Sequence, residues 1–159
     1  MREFKANSAG FTLVELMVII AIIAILLTVA VPMIRNIPAN SQADSARQLL
    51  ELDINVARNK AITFSENVLM TPNAGGFQDG WTITLKNSGE MIRQHKAFDD
   101  SVTVTSDTFT DAAPIEFDVE GRALLTGSLK ISVDGCTGNR VYTMKLNMIG
   151  QLIVTEGPC

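Results

Sequence analysis

The sequence predicts an α+β chain: a long, kinked N-terminal α-helix whose first half crosses a membrane and whose second half packs on an antiparallel β-sheet head. Three observations predict it. Residues 16–27 are apolar without a break, and the wider span Phe11–Met33 carries one charge, Glu15. An apolar stripe at helical period follows in residues 46–64. Beyond Phe64 the period changes to two, as in half-buried strands. The bulk composition of the 159 residues, with net charge −4 and 47% hydrophobic, hides this partition, which lies in the distribution.

The first element begins with Arg2 and Lys5 against Glu3, a basic start. A secretory signal places its small-residue cleavage site after the apolar run. Here the small residues Ser8-Ala9-Gly10 precede it, so a cut at Gly10–Phe11 leaves the apolar segment attached. As a helix, Phe11–Met33 would span roughly 34 Å, enough for a hydrocarbon core of about 30 Å. The basic residues ahead of it put the N-terminus in the cytoplasm and the head outside.

Glu15 lies inside this span, where a carboxylate costs about 2.5–3.5 kcal/mol on insertion scales. Two readings stand side by side. Glu15 sits near one end and can snorkel to the interface. Alternatively it takes a cation, and cleavage after Gly10 would create one in the new Phe11 amine. In an assembling filament, Glu15 of one subunit would meet the Phe11 amine of a neighbour.

Pro32 and Pro38 interrupt the helical pattern, since proline removes a hydrogen bond and kinks or ends a helix. The pattern resumes through Ala46, Leu50, Ile54, Ala57, Ala61 and Phe64 as one buried face, with Arg47, Glu51, Arg58 and Lys60 off it. Alternation then marks strands at Trp81–Leu85, Leu129–Val133 and Tyr142–Met148. Weaker strands are expected at Val68–Met70, Met91–Ala97, Val102–Ser106, Ile115–Val119 and Leu152–Thr155. The turn signals Asn87-Ser88-Gly89, Asp134-Gly135, Gly138-Asn139 and Ile149-Gly150-Gln151 separate them. Pro72–Gly80 and Asp107–Pro114 read as longer loops.

Two cysteines, Cys136 and Cys159, fall near the C-terminus. An even pair in an exported chain reads as one disulfide in an oxidising compartment, against the alternative of two unrelated buried thiols. The compartment agrees with the orientation drawn from the basic N-terminus.

The stretch Gly10-Phe11-Thr12-Leu13-Val14-Glu15-Leu16, followed by an apolar helix, resembles the class III signal of type IV prepilins and pseudopilins. The resemblance implies that a membrane prepilin peptidase cuts after Gly10 and methylates the amine of Phe11. It also gives Glu15 an assembly role and places Pro32 where many pilins have a helix-kinking proline. In the head, Ala57-Arg58-Asn59-Lys60-Ala61, Asn67-Val68, Gly80-Trp81, Phe117 with Gly121-Arg122, and Asn147 with Gly150 are similar to the GspH/FimT family of minor pilins and pseudopilins. The chain departs from that pattern at Gln151, where several relatives carry Arg. The implied domains are a leader over 1–10, a transmembrane and filament-core helix over 11–33, and a periplasmic helix with a β-rich head over 34–159.

The resemblance implies a structural minor pilin of a type IV pilus, which helps initiate or cap the filament. The terminal disulfide is more like minor pilins than secretion pseudopilins. The alternatives are a minor pseudopilin of a type II secretion system and a DNA-binding minor pilin for natural transformation. Implied partners are other major and minor pilins or pseudopilins, the prepilin peptidase and the bacterial inner membrane, with the head in the periplasm until assembly. DNA is a further candidate partner through Arg122, Lys130, Arg140 and Lys145. These are interleaved with Asp118, Glu120, Asp134 and Glu156, whereas phosphate binding wants a local basic excess. No catalytic residue, cofactor or metal is predicted: no nucleophile, phosphate-loop or metal-ligand motif occurs. His95 is expected at the surface. Asp99, Asp100, Asp107 and Asp111 match no calcium loop.

Overall fold

The computed structural model describes the backbone of residues 13–34 and 37–159, and the side chains of residues 13–27 and 38–159. The chain divides into two units, 1–35 and 36–159. The first contains α1, Leu13–Ile34. Pro32 lies within α1, whose helical backbone continues past it to Ile34; its side chain is outside the described residues. Gly10 and Phe11 are also outside them. Among the described residues no helix is long and apolar enough to cross a membrane. The expected span 11–33 extends beyond the described side chains of α1 at both ends.

The second unit opens with α2, Ile37–Phe64. Pro38 is its second residue, where a missing N–H costs nothing because the first-turn donors have no intrahelical acceptor. Ala43, Ala46, Leu50, Ile54, Ala57 and Ala61 form the buried stripe. Four of the six are alanines, which lets the sheets approach the helix closely. The expected last member of the stripe, Phe64, is half exposed, with the Lys60 ammonium 5.1 Å above its ring. The helix stops there: Ser65 takes a φ of 51°, the left-handed turn that ends many helices.

Eight strands follow: β1 Val68–Asn73, β2 Gly76–Leu85, β3 Met91–Lys96, β4 Val102–Ser106, β5 Ile115–Phe117, β6 Gly127–Val133, β7 Val141–Leu146 and β8 Leu152–Gly157. They form two four-stranded sheets, ordered β3-β2-β1-β5 and β4-β6-β7-β8, with every pairing antiparallel. The predicted single sheet is therefore two. Strand alternation marks strands without saying which of them pair, and the chain changes sheet at β4, returns at β5 and changes again at β6. Helix α2 packs on β1 and β5 of one sheet and on β4, β6 and β7 of the other. Trp81, Phe77 and Phe117 are the bulkiest fully buried side chains of the core.

The expected loop at Pro72–Gly80 is a β-hairpin. Its glycines serve the hairpin: Ala74 and Gly75 make the turn, and Gly80 sits inside β2 with φ +93°. A Cβ at Gly80 would lie 2.4 Å from the His95 carbonyl oxygen, so only glycine permits that approach of β3.

Cys136 and Cys159 are bonded, with Cα atoms 5.7 Å apart. The bridge ties the chain end after β8 to the β6–β7 turn, and the Cys159 N–H donates to the Gly138 carbonyl at 2.9 Å. A closed loop of this size stabilises by about 3 kcal/mol in the chain-entropy model. Thiol labelling of the non-reduced, denatured chain should find no free cysteine. Cys136→Ser with Cys159→Ser should lower the unfolding free energy by about 2–4 kcal/mol in denaturant titration. Two reactive thiols in protein from an oxidising compartment would refute the bridge as a feature of the working protein.

Candidate functional site

Every described side chain of α1, Leu13 to Leu27, is exposed, and the large apolar ones are between 39% and 75% accessible. A helix apolar on all sides needs an apolar surrounding. Its first turn holds Glu15 and its last turn holds no basic residue. Glu15 is the single charge of this helix, and its place in the first turn suits the positive end of the helix dipole.

In the head, three of the segments singled out in the sequence meet at one place. Arg58, on α2, donates from Nε to the Gly121 carbonyl at 2.9 Å and from Nη2 to the Ile149 carbonyl at 3.3 Å. Those carbonyls belong to the β5–β6 and β7–β8 connections, which are also joined by the Ala123 N–H to the Met148 carbonyl at 3.1 Å. Gly121 and Gly150 take φ of +75° and +74°. A Cβ at Gly150 would lie 2.1 Å from the Gly121 oxygen and 2.9 Å from Arg58 Nε. The neighbouring turn is closed by Asn147: its Oδ1 accepts from the Gln151 N–H at 2.9 Å, and its N–H donates to the Gln151 carbonyl at 3.1 Å. Gln151 itself is exposed. The arrangement is a lock that joins a helix to two turns. Arg58→Ala would strip partners from two carbonyls and lower stability by about 1–3 kcal/mol. Arg58→Lys should restore little of it, because an ammonium lacks the fork that reaches both oxygens. Denaturant midpoints of the three proteins check this, and an unchanged Arg58→Ala midpoint contradicts the lock.

The four candidate nucleic-acid residues do not form one surface. Arg122 is held by Asp118 at 2.8 Å and Glu120 at 3.2 Å. Arg140 faces Asp44 at 3.6 Å and donates to the Thr137 carbonyl at 3.0 Å. Lys130 and Lys145 are exposed diagonal neighbours on β6 and β7, since Lys145 pairs with Ser128 and Lys130 with Thr143. Burial pushes the Asp118 carboxyl up, but hydrogen bonds from the Arg122 N–H and guanidinium outweigh it and hold the group below the usual carboxylate range. That salt-bridged turn is accordingly present above the ordinary carboxylate pKa and loosens as pH falls through the lowered value.

Three of the four aspartates of the calcium comparison accept hydrogen bonds. Asp99 accepts from Gln42 at 3.0 Å, Asp107 from the Thr108 hydroxyl and from Ser128, and Asp111 from the Ala112 N–H. Among the described residues no group of His, Cys, Asp and Glu side chains is placed to hold a metal.

Sequence reasoning missed one buried polar cluster. Asp53 is fully buried on α2; Trp81 Nε1 donates to its Oδ2 at 2.9 Å. Arg93 Nε lies 3.0 Å from Oδ1 as an ion pair whose angles fall outside hydrogen-bond geometry. The signal was present: Asp53 is three residues past Leu50, on the edge of the buried stripe, where a carboxylate needs a partner. His95, expected at the surface, is half-buried instead. Its ring stacks on Trp81 with centroids 4.2 Å apart and planes 7° from parallel. The predicted strand was right, but the pairing of Trp81 with His95 across β2 and β3 was not visible from either residue alone.

Comparison with known proteins places both halves of the chain. A family model for the prokaryotic N-terminal methylation motif matches residues 5–31. A second, for type II transport protein GspH, matches residues 46–150. No curated protein sequence matches. Among solved structures, the type IV minor pilin FimU of Pseudomonas aeruginosa is similar in two crystal forms. One has a TM-score of 0.58 at 17% identity, covering 70% of this chain and 91% of FimU. The other has a TM-score of 0.57 at 15% identity, covering 78% and 92%. At these identities the likeness is one of fold.

Proposed function

Because the chain belongs to the GspH family and carries a prepilin-type N-terminal methylation motif, we propose that it is a structural minor pilin of a type IV pilus, helping to initiate or cap the filament. The observation that carries this reading is the pairing of α1, apolar and exposed along its described length, with a compact head. A structural rather than catalytic role accords with the family. In the proposed path, prepilin peptidase cuts at Gly10–Phe11 and methylates Phe11. The helix over 11–33 holds the subunit in the inner membrane with its head in the periplasm. Assembly then moves that helix from lipid into the filament core beside other pilins, so that its apolar surface never faces water.

A second reading, a minor pseudopilin of a type II secretion system, is favoured by the description of the matching family as a type II transport protein. Deletion of the gene in its own host separates the two. The pilus reading expects loss of surface filaments and twitching with protein secretion intact. Loss of secretion with normal piliation would replace it with the second reading, and retention of both activities would overturn both.

A further inference from the structure

The two sheets have four edges, and three are closed to another strand. β3 carries Arg93, His95 and Lys96, and its register with β2 shifts between Ile83 and Thr84. β4 packs against β2, and its Val104 N–H donates to the Gln78 side-chain oxygen at 3.4 Å. β5 has three residues and is covered by the segment after it, through the Phe117–Ala123 bridge and the Leu124 N–H to the Glu116 carbonyl at 3.0 Å. Charges, bulges, short strands and covering segments are the usual devices that stop sheets from pairing at their edges.

β8 has no bulge and no covering segment, is six residues long, and carries a single charge. Leu152–Gly157 pairs with β7 without a register shift, from Leu146↔Leu152 to Val141↔Gly157. None of its residues is buried. Among the described residues, its backbone makes no hydrogen bond outside the β7 ladder. It contains no proline and no lysine; its one charge, Glu156, is exposed and in no salt bridge among the described residues. An apolar shoulder continues it, with Met148 and Ile149 each 64% exposed and Ile153 47%. The disulfide of Cys159 clips the chain just past its end, so the strand is held in place with its edge open.

We propose that β8 is a strand-addition site that takes an extended segment from the head of a different filament subunit. The inference rests on the filament reading above. Main-chain hydrogen bonds would supply affinity, and alternate side chains against Ile153 and Thr155 would supply selectivity. The partner strand is apolar or β-branched, with a lysine or arginine opposite Glu156. The β8 edge of a second copy is the wrong occupant. β8 against β8 is a two-fold, closed contact, whereas a filament grows through contacts between unlike surfaces.

The test uses the full chain in its own host, with photoreactive benzoylphenylalanine in place of exposed Ile153 and, as a control, in place of exposed Thr103 on the opposite edge of the same sheet. The expected product at Ile153 is a cross-link to a different protein that carries its own prepilin-type N-terminus, with none at Thr103. Thr155→Lys should lower incorporation into sheared filaments about tenfold, with Thr155→Val retaining it. No cross-link at Ile153, a cross-link only to a second copy, or equal cross-linking at Thr103 overturns the proposal. Recovery of the unmodified chain in the filament fraction is scored separately. Its absence there counts against the filament reading, while the cross-link in the membrane fraction still decides the role of β8.

Discussion

Gly10→Val should leave the chain as an uncut precursor in the membrane fraction, with residues 1–10 attached. The proposed cut falls between Gly10 and Phe11, and a peptidase must bring the scissile backbone close to its own groups. Glycine offers no Cβ to obstruct that approach and the widest choice of backbone angles. Valine adds a branched side chain with restricted rotamers at the same point. A loss of about 100-fold in cleavage rate corresponds to about 2.7 kcal/mol in the transition state, a modest demand on one steric clash. Gel mobility and intact mass read the result. Efficient maturation of Gly10→Val would place the cut elsewhere.

Glu15→Val should be cut as well as wild type and then fail to enter filaments. The substitution removes a charge from a helix that is otherwise apolar, so insertion becomes easier by about 2.5–3.5 kcal/mol. The loss comes later. In the filament core water is excluded, and the amine of a neighbouring Phe11 would be left without its carboxylate. Breaking one partner of a buried pair costs about 3–5 kcal/mol, enough to reduce incorporation more than about 100-fold. Glu15→Gln separates the charge from side-chain size and polarity: it keeps the shape and polarity of the side chain but not the charge, and should also fail. The measurement is an immunoblot of membrane and sheared-filament fractions with each variant expressed beside wild type. Equal incorporation of Glu15→Val would leave the snorkelling reading standing.

What could be read from the residues alone followed from local periodicity. The stripe from Ala46 to Ala61 and the alternations in β2, β6 and β7 each repeat over enough residues to declare their element. β4 was placed with the bounds the structure has, Val102–Ser106. Features that depend on distant pairings were hidden. The Pro72–Gly80 stretch has loop composition, yet Gly80 is there because β3 passes within van der Waals reach of it. Phe64 fits the helical period, but the helix ends beneath it and leaves it at the rim. The Arg58 lock was half legible: Arg58, Gly121 and Gly150 were each singled out, while their meeting required the fold. Of the four basic residues considered for DNA, two proved to be committed to carboxylates, which spacing alone could not reveal.

In the proposed path a short leader is removed and the apolar helix is kept. The intact mass of the protein purified from its host's membrane or filament fraction tests it most directly. The expected mass is that of a single chain that begins at Phe11, carries one added methyl on that amine, and lacks two hydrogens for the Cys136–Cys159 bond. A mature N-terminus anywhere beyond the apolar run 16–27 would contradict it.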